Sequence, residues 1–220
     1  PLFRKLNKLF NGATLNGDAN LVNYLTWARR EELEAFYTPE FRSALIEKAA
    51  ETPMMQFLRT IPKSIGPLDR MLALEQRFFL ADHNLNYTDK MSMAVGVETR
   101  VPFLDIELVE FAGQVPVSMK QRGLEGKWLL KKAMEPYLPQ EVVYRPKTGF
   151  GLPLRHWTRF ELREMIGDLL SAESLKKRKL FEPLAVMKLI EANDSGKVDG
   201  SYTLLSMLCI EIFLRNAERR

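Results

Sequence analysis

Proline and glycine recur between amphipathic stretches of this chain, and that punctuation restricts the fold to short helices joined by turns. Residues 18–36 and 204–215 carry apolar side chains at helical spacing. Thr38, Pro39 and Glu40 form a helix start signal, with a capping hydroxyl, a proline at the first helical position and an acid in the first turn. No two segments alternate in a way that indicates paired strands. The sequence therefore predicts a mainly α-helical fold.

Cysteine and histidine are too scarce for several common classes of site. The chain has 220 residues with one cysteine and two histidines, which excludes an internal disulfide framework and leaves too few soft ligands for a transition-metal site. Cys209 lies among apolar residues of a predicted helix, which favours a small buried residue over a nucleophile. The longest uncharged apolar stretch, residues 202–210, is about half the ~20 residues that a membrane span needs. With no signal peptide at its start, we expect a cytoplasmic protein.

The charge balance is mildly basic and does not by itself identify a partner. Thirty-two lysines and arginines against 28 acidic residues give a net charge of +4. The basic run Lys176–Lys179 is typical of a solvated helix face. A non-enzymatic helical module that binds RNA through this run is the alternative from a different class. The chain lacks a G-x-G-x-x-G motif, a Walker-type lysine loop and an S-G-G-x-D-S motif, so it carries no recognisable phosphate-binding loop.

An acid and a base share one side of a predicted extended segment. Gly96 weakens the preceding helix, and Pro102 pushes Val101 into an extended conformation. Because side chains alternate along an extended chain, Glu98 and Arg100 are expected to project from the same side. The pair could be the polar wall of a pocket or an ion pair that fixes the turn, and its spacing fits both.

A single lysine lies at the centre of a bent loop. Residues 144–153 contain two glycines and two prolines, which predicts a loop with fixed bends around Lys147. A cation held there suits the stabilisation of negative charge that develops on a phosphoryl or acyl oxygen. The same spacing is compatible with an ordinary surface lysine.

Two ordered blocks of residues resemble the asparagine synthetase family. The first block lies within residues 82–105 and includes D-K-M-S-M at 89–93 and E-T-R-V-P-F-L-D at 98–105. The second block is R-P-K-T-G-F at 145–150. The resemblance covers residues 68–160 well, 161–220 loosely and 1–65 only in helical character. It implies that residues 1–220 form a single helical unit, the C-terminal part of the synthetase domain.

The resemblance also implies what this unit is part of. Its family has an α/β synthetase domain of the adenine-nucleotide-hydrolase (PP-loop) type, and the parallel sheet of that domain is largely missing from this sequence. The family's N-terminal glutaminase domain begins with a cysteine nucleophile, whereas this chain begins with Pro1. We therefore expect that the 220 residues alone are inactive and bind neither ATP nor Mg²⁺ tightly.

The implied reaction is ATP-dependent and glutamine-dependent amide synthesis. In the complete enzyme, aspartate and ATP would form an aspartyl-AMP, and ammonia derived from glutamine would convert it to asparagine. Lys147 matches the family's catalytic lysine, and Glu98 and Arg100 match residues near the substrate and adenylate pocket. No residue is assigned to a metal, and we expect neither a membrane nor a nucleic acid as partner. The sequence leaves the oligomeric state open.

One position leaves the acceptor open. Tyr87 stands where the family often has a lysine ahead of the aspartate at position 89. Related members act on other carboxylates, so an amidotransferase that makes a polysaccharide or specialised-metabolite amide is the alternative within the family.

Overall fold

The structure is a computed structural model that describes residues 15, 17–26, 28, 30–45, 50–146 and 151–219. These residues form two compact units, each with its own hydrophobic core. The first unit contains the described residues of 1–27 and 50–147, and the second contains those of 28–49 and 148–220. The finer assignment of 1–65, 68–160 and 161–220 to parts of a synthetase domain stays a prediction.

The described helices are, in chain order, α1 (Asp18–Leu25), α2 (Arg30–Glu34), α3 (Pro39–Ala44), α4 (Thr52–Thr60), α5 (Pro67–Leu74), a π-helix (Glu75–Leu85), α6 (Asn86–Met93), a 3₁₀ turn (Pro102–Leu104), α7 (Ile106–Gln114), α8 (Val117–Lys120), α9 (Trp128–Met134), α10 (Gln140–Val143), α11 (Leu154–Trp157), α12 (Arg163–Leu169), α13 (Ala172–Arg178), α14 (Pro183–Asp194) and α15 (Ser201–Glu218). Two short strands, β1 (Gln121–Arg122) and β2 (Glu125–Gly126), lie between α8 and α9. The prediction of a mainly helical fold is confirmed.

The strands form a small antiparallel hairpin that the sequence pattern did not predict. Gln121 pairs with Gly126 and Arg122 pairs with Glu125, so the turn contains only two residues. Gly123 opens that turn with a φ of +62°, a conformation that residues with a side chain rarely adopt. Strands of two residues are too short to show an alternating pattern, so they cannot be recognised from the amino-acid sequence.

One continuous helical segment runs from Pro67 to Met93. The backbone stays helical at both junctions, with φ and ψ of −62° and −41° at Glu75 and of −62° and −47° at Asn86. No glycine or proline occurs after Pro67 in this segment, so nothing in it favours a break. The central part is wound as a π-helix, whose hydrogen bonds run from i to i+5.

The core of the first unit joins α1, α4 and α5 through Val22, Leu58 and Leu74. Arg70 reinforces it from α5, where it is only 8% exposed. Its guanidinium donates to both carboxylate oxygens of Asp18, at 2.9 and 2.7 Å, and to the carbonyl oxygen of Leu58 at 2.9 Å. A buried charge is tolerated when it is paired and its donors are used, so Arg70 connects the three helices without leaving an unpaired cation.

The core of the second unit is larger and brings α12 to α15 together. Its buried residues are Ile166, Leu170, Leu175, Phe181, Val186, Leu204, Met207 and Leu208. The face of α15 that packs here carries Leu204, Leu208 and Glu211, whereas Cys209 lies on another face and is exposed. The expectation that Cys209 is buried was wrong, because one residue along a helix turns the side chain by about 100°.

The helix expected over residues 18–36 is instead two helices in different units. Thr26 ends α1 with an extended backbone, φ −80° and ψ 138°, and its hydroxyl donates to the carbonyl oxygen of Asn23 at 3.0 Å. The start signal after residue 36 is confirmed, since the Thr38 hydroxyl accepts a hydrogen bond from the Phe41 amide at 3.2 Å and Pro39 opens α3.

Candidate functional site

The extended segment that carries the predicted acid and base begins where Gly96 ends α6. Gly96 has a φ of +70°. Its amide donates to the carbonyl oxygen of Met93 at 3.1 Å, and the amide of Val97 donates to that of Ser92 at 3.0 Å. These two bonds form a Schellman motif, which stops a helix and turns the chain away from it. Gly96 therefore sets the direction in which the following residues leave α6.

Glu98 and Arg100 lie on the same side of that segment, as their spacing predicts. Nη2 of Arg100 is 2.7 Å from Oε1 of Glu98. The two side chains are 83% and 68% exposed, for Arg100 and Glu98 respectively. Solvent screens so exposed a pair, and it contributes little to folding. Both charged groups are thus accessible to a ligand, and the interpretation as a buried ion pair that fixes the turn does not hold within the described residues.

The segment ends in a capped helix start. Pro102–Leu104 form a 3₁₀ turn, and Oδ1 of Asp105 accepts hydrogen bonds from the amides of Glu107 at 3.1 Å and Leu108 at 3.2 Å. Asp105 is thus the N-cap of α7. Gly96 and Asp105 thus fix the two ends of the segment that presents Glu98 and Arg100.

Lys147, the predicted catalytic residue, lies outside the residues that the structure describes, and so do Thr148, Gly149 and Phe150. Its role stays a prediction, as does its expected proximity to Glu98 and Arg100. The described chain reaches Pro146, just before Lys147, and its last helix there is α10.

Apolar side chains surround the Glu98–Arg100 pair in the sequence, and the described chain leaves them exposed. We refer to the exposed residues Met91, Val95, Val97, Phe103, Ile106 and Phe111 as the 91–111 apolar segment. Leu108, Val109 and Ala112 of α7 are exposed as well. Every described residue from Glu75 to Pro146 is exposed or half-buried. Exposed apolar surface of this extent is typical of sites that bind a protein, a membrane or a ligand.

The basic run of the second unit is not uniformly solvated. Arg178 is 12% exposed in its side chain and forms ion pairs with Glu211 at 2.8 Å and with Glu218. These residues line a hollow of about 370 Å³, together with Ser171, Glu173, Ser174, Lys177 and Arg215. Arg178 is thus committed to internal pairs, and only the other members of Lys176–Lys179 are exposed to a polyanion.

Within the described ranges, no group of three or more His, Cys, Asp or Glu side chains could hold a metal ion. Also within them, no helix is long and apolar enough to cross a bilayer.

Comparison with known proteins relates this chain to asparagine synthetases. The family model of asparagine synthase matches residues 2–215. Asparagine synthetase [glutamine-hydrolyzing] 1 of Bacillus subtilis is 31% identical over 162 residues, which are 73% of this chain and 25% of that protein. Asparagine synthetase [glutamine-hydrolyzing] 3 of the same organism is 30% identical, over 57% of this chain and 19% of that protein.

A third relative carries a different name. Amidase chyE of Penicillium rubens is 28% identical over 60% of this chain and 20% of its own length. The chain spans about a quarter or less of the length of these curated relatives. No solved structure was found to match it.

Proposed function

The chain belongs to the asparagine synthase family, and from that premise we propose that it forms the helical C-terminal part of an ATP-dependent, glutamine-dependent amide ligase. The family match over residues 2–215 is the observation that carries this proposal. The exposed Glu98–Arg100 pair supports it as a polar site on the unit that contains the matched motif. Gly96 and Asp105 fix the two ends of the segment that carries this pair.

The proposed reaction has two steps. A carboxylate oxygen of aspartate attacks the α-phosphorus of ATP, which forms aspartyl-AMP and releases pyrophosphate. Ammonia derived from glutamine then attacks the acyl carbon, which forms asparagine and releases AMP together with a proton. Negative charge develops on phosphoryl oxygens in the first step and on the acyl oxygen in the second. A fixed cation lowers both barriers, and we assign that task to Lys147.

Glu98 and Arg100 are proposed to line the substrate and adenylate pocket. A guanidinium can bind a carboxylate or phosphate through two parallel hydrogen bonds, and Arg100 is accessible for this. The carboxylate of Glu98 in turn holds the Arg100 side chain, with 2.7 Å between Oε1 and Nη2. The pair would thus present an oriented cation to an anionic substrate.

The remaining parts of the enzyme are proposed to cover the 91–111 apolar segment. The chain matches only a quarter of the length of its relatives, and these apolar residues are exposed in the described chain. A nucleotide-binding sheet packed on them would bury their surface and bring ATP next to Glu98 and Arg100. ATP phosphates and Mg²⁺ would be bound by that sheet, since this chain has no glycine-rich phosphate loop. On this proposal the 220 residues alone are inactive, and the complete enzyme works in the cytoplasm.

The acceptor carboxylate is aspartate in this proposal, and a second carboxylate is the alternative within the family. Tyr87 is exposed on α6, eleven residues before Glu98, and it replaces the lysine that the family often has there. A relative named as an amidase also matches the chain. Because the ring of Tyr87 is neutral where a lysine ammonium would be positively charged, it would favour a substrate with less negative charge than aspartate.

The test uses the complete protein that contains this chain. Exchange of labelled pyrophosphate into ATP, measured with aspartate and with a panel of other carboxylates, reports the first step. Amide formation from glutamine or ammonia reports the second. Exchange that depends on aspartate, followed by asparagine formation, is the expected result. If exchange depends on another carboxylate, that carboxylate is the substrate in place of aspartate. If no carboxylate supports exchange, the proposed ligase is refuted.

The purified 220-residue chain is the matched control for this experiment. It is expected to release no pyrophosphate from ATP and aspartate, because it lacks a phosphate loop. Release of pyrophosphate by the chain alone would contradict the proposed division of tasks between the chain and the rest of the enzyme.

A further inference from the structure

The hollow of about 370 Å³ in the second unit is lined by residues of α13 and α15 and by the N-cap of α13. One water molecule takes about 30 Å³ of liquid volume, so the hollow has room for a small organic molecule. Its lining includes three cations and three carboxylates, those of Lys177, Arg178, Arg215, Glu173, Glu211 and Glu218. The formal charges of the lining therefore balance.

The guanidinium of Arg178 uses two of its edges, one for each of two carboxylates. Along the first edge, Nε donates to Oε2 of Glu211 at 2.8 Å and Nη2 donates to Oε1 at 3.4 Å. Along the second edge, Nη1 donates to Oε1 of Glu218 and Nη2 donates to Oε2 at 3.1 Å. Two parallel hydrogen bonds are the usual way in which a guanidinium binds a carboxylate. Arg178 thus has two carboxylate-binding edges, and side chains of its own chain occupy both.

The fold holds these two carboxylates with different strength. The side chain of Glu211 is 7% exposed, and it also accepts hydrogen bonds from Ser174 and Arg215. The side chain of Glu218 is 56% exposed and lies in the last turn of α15, where the negative end of the helix dipole disfavours an acid. Because solvent screens so exposed an ion pair, the pair contributes little to folding. Glu218 is therefore the carboxylate that a ligand can displace.

Two further cations line the same hollow. Arg215 donates from Nε to Glu211 and from Nη2 to Oγ of Ser174 at 3.1 Å, and no hydrogen bond among the described residues uses its Nη1. Lys177 is exposed on α13. Both side chains add positive charge where an anion would bind, and this favours its entry.

We propose that this hollow is a binding site for a small monocarboxylate, which takes the place of Glu218 on the second edge of Arg178. When Glu218 moves into solvent, the lining keeps one net positive charge, and a single ligand carboxylate neutralises it. A phosphate monoester carries a charge of about −1.5 to −2, so it would leave excess negative charge beside Glu173 and Glu211. The site uses neither Glu98 nor Arg100, and it does not depend on the proposed ligase activity.

The test is a titration of the complete protein, labelled with ¹⁵N at arginine, with sodium propionate at constant ionic strength. Propionate is the probe because it resembles the end of a glutamate side chain. The Nε–H NMR signals of Arg178 and Arg215 are expected to shift and to saturate. The signal of Arg155 is the control, since this arginine pairs with Asp199 outside the hollow and is 60% exposed. No shift at Arg178, or equal shifts without saturation at all three arginines, would overturn the inference.

Glu218→Gln is the decisive variant, because it weakens the internal competitor and keeps its size. Propionate is expected to bind about tenfold more tightly, since a charged hydrogen-bonded pair gives way to a neutral one. Glu164→Gln is the matched control, because it makes the same change of charge at an exposed position of α12 outside the hollow. Unchanged affinity in Glu218→Gln, or equal tightening in both variants, would refute the displacement of Glu218.

Two neighbouring lysines test the location of the site. Lys176 and Lys177 are both exposed on α13, and of the two it is Lys177 that lines the hollow. Lys177→Met should weaken propionate binding by about two- to fivefold, and Lys176→Met should leave it unchanged. The thermal midpoints of both variants should match the wild type, because both positions are exposed. Equal weakening by the two substitutions would contradict binding in this hollow.

Inorganic phosphate distinguishes a carboxylate site from a general anion site. It is expected to bind more weakly than propionate, and equal or tighter binding of phosphate would overturn the assignment to a carboxylate. The outcome is also separate from that of the ligase assay. Saturable binding of propionate by a protein that shows no pyrophosphate exchange would refute the ligase alone. An active ligase whose Arg178 signal does not respond to propionate would refute the binding site alone.

Discussion

Nε of Arg178 lies 2.8 Å from Oε2 of Glu211, and their side chains are 12% and 7% exposed. Arg178 ends α13 and Glu211 is near the middle of α15, so the pair joins two helices of the second core. Glu211 also accepts hydrogen bonds from Ser174 and Arg215. The carboxylate is thus surrounded by donors, which is the condition under which a buried charge is stable.

Removal of Arg178 is expected to destabilise the second unit. Arg178→Met keeps most of the side-chain volume but leaves Glu211 and Glu218 without their shared partner. A buried carboxylate that loses a donor is costly, so amide hydrogen exchange in α13 and α15 should increase by roughly tenfold or more. Lys176→Met on the same helix is the control. Because Lys176 is exposed, this substitution should change amide hydrogen exchange little. Equal exchange in the two variants would contradict the structural role of Arg178.

The stabilisation from Glu211 is expected to depend on pH. Burial raises the pKa of this carboxyl, but hydrogen bonds from Arg178 and Arg215 outweigh it, so the pKa is lower than its ordinary value of 4.5. A group with a lowered pKa in the folded state stabilises the protein above its unfolded pKa, and that contribution is lost as pH falls through the folded value. The stability difference between wild type and Glu211→Gln should be constant near neutral pH and shrink below about 4.5. Urea denaturation of both proteins from pH 7 to pH 3 measures this, and a difference that grows on acidification would refute it.

Lys147→Ala is expected to reduce amide synthesis in the complete protein by about 10² to 10³. The loss follows from removing a fixed cation from oxygens that become negatively charged in both steps. Glutaminase turnover should be nearly unchanged, because the proposal assigns that chemistry to a different domain of the complete protein. Lys63→Ala, at an exposed position of the first unit, is the matched control. Amide synthesis at the wild-type rate by Lys147→Ala would remove the role proposed for this residue.

The Glu98–Arg100 pair is expected to matter for activity and not for stability. Arg100→Met and Glu98→Gln should each lower kcat/KM of the complete protein by about tenfold or more, since an oriented charge–carboxylate contact would be lost. The thermal midpoint of the 220 residues alone should stay the same, because the pair is largely exposed in the described chain. Arg77→Met breaks the similarly exposed pair of Arg77 with Asp82 and serves as the control. Wild-type kinetics in both variants of the pair would exclude it from the pocket.

The 91–111 apolar segment is expected to need the rest of the protein. Phe103 is 69% exposed in the described chain, so Phe103→Asp should hardly change the stability of the 220 residues. In the complete protein the same change would bury an unpaired carboxylate and lower the thermal midpoint by several degrees. Thermal unfolding of both lengths with and without the substitution measures the contrast. An equal effect in both lengths would mean that nothing covers this segment.

Local sequence signals predicted the parts of the site that depend on neighbours in the chain. The alternation of an extended segment predicted that Glu98 and Arg100 share a side, just as the residue types at Thr38 and Pro39 predicted the start of α3. Backbone geometry over a few residues fixes such features, so they can be recognised without knowledge of the packing. The Glu135–Tyr144 contact had no such signal, because a nine-residue separation fits neither helical nor strand spacing.

Burial was the property that the sequence predicted least well. The apolar residues of α7 and Cys209 of α15 both lie in helices with a hydrophobic pattern, and both are exposed in the described chain. An apolar pattern indicates that one face of a helix packs against a partner, but it does not indicate whether that partner belongs to the same chain.

The amino-acid sequence by itself determined that this chain is mainly helical, that it belongs with asparagine synthetases, and that Glu98 and Arg100 project from the same side of an extended segment. Only the tertiary structure decided that the described chain forms two units with separate cores, that Arg178 and Glu211 pair between helices, and that the hydroxyl of Tyr144 donates to Glu135. The physical reason is the distance along the chain over which each kind of interaction acts. Helix signals, caps and alternation act over a few residues, whereas cores, ion pairs and anchoring contacts depend on which distant segments pack together.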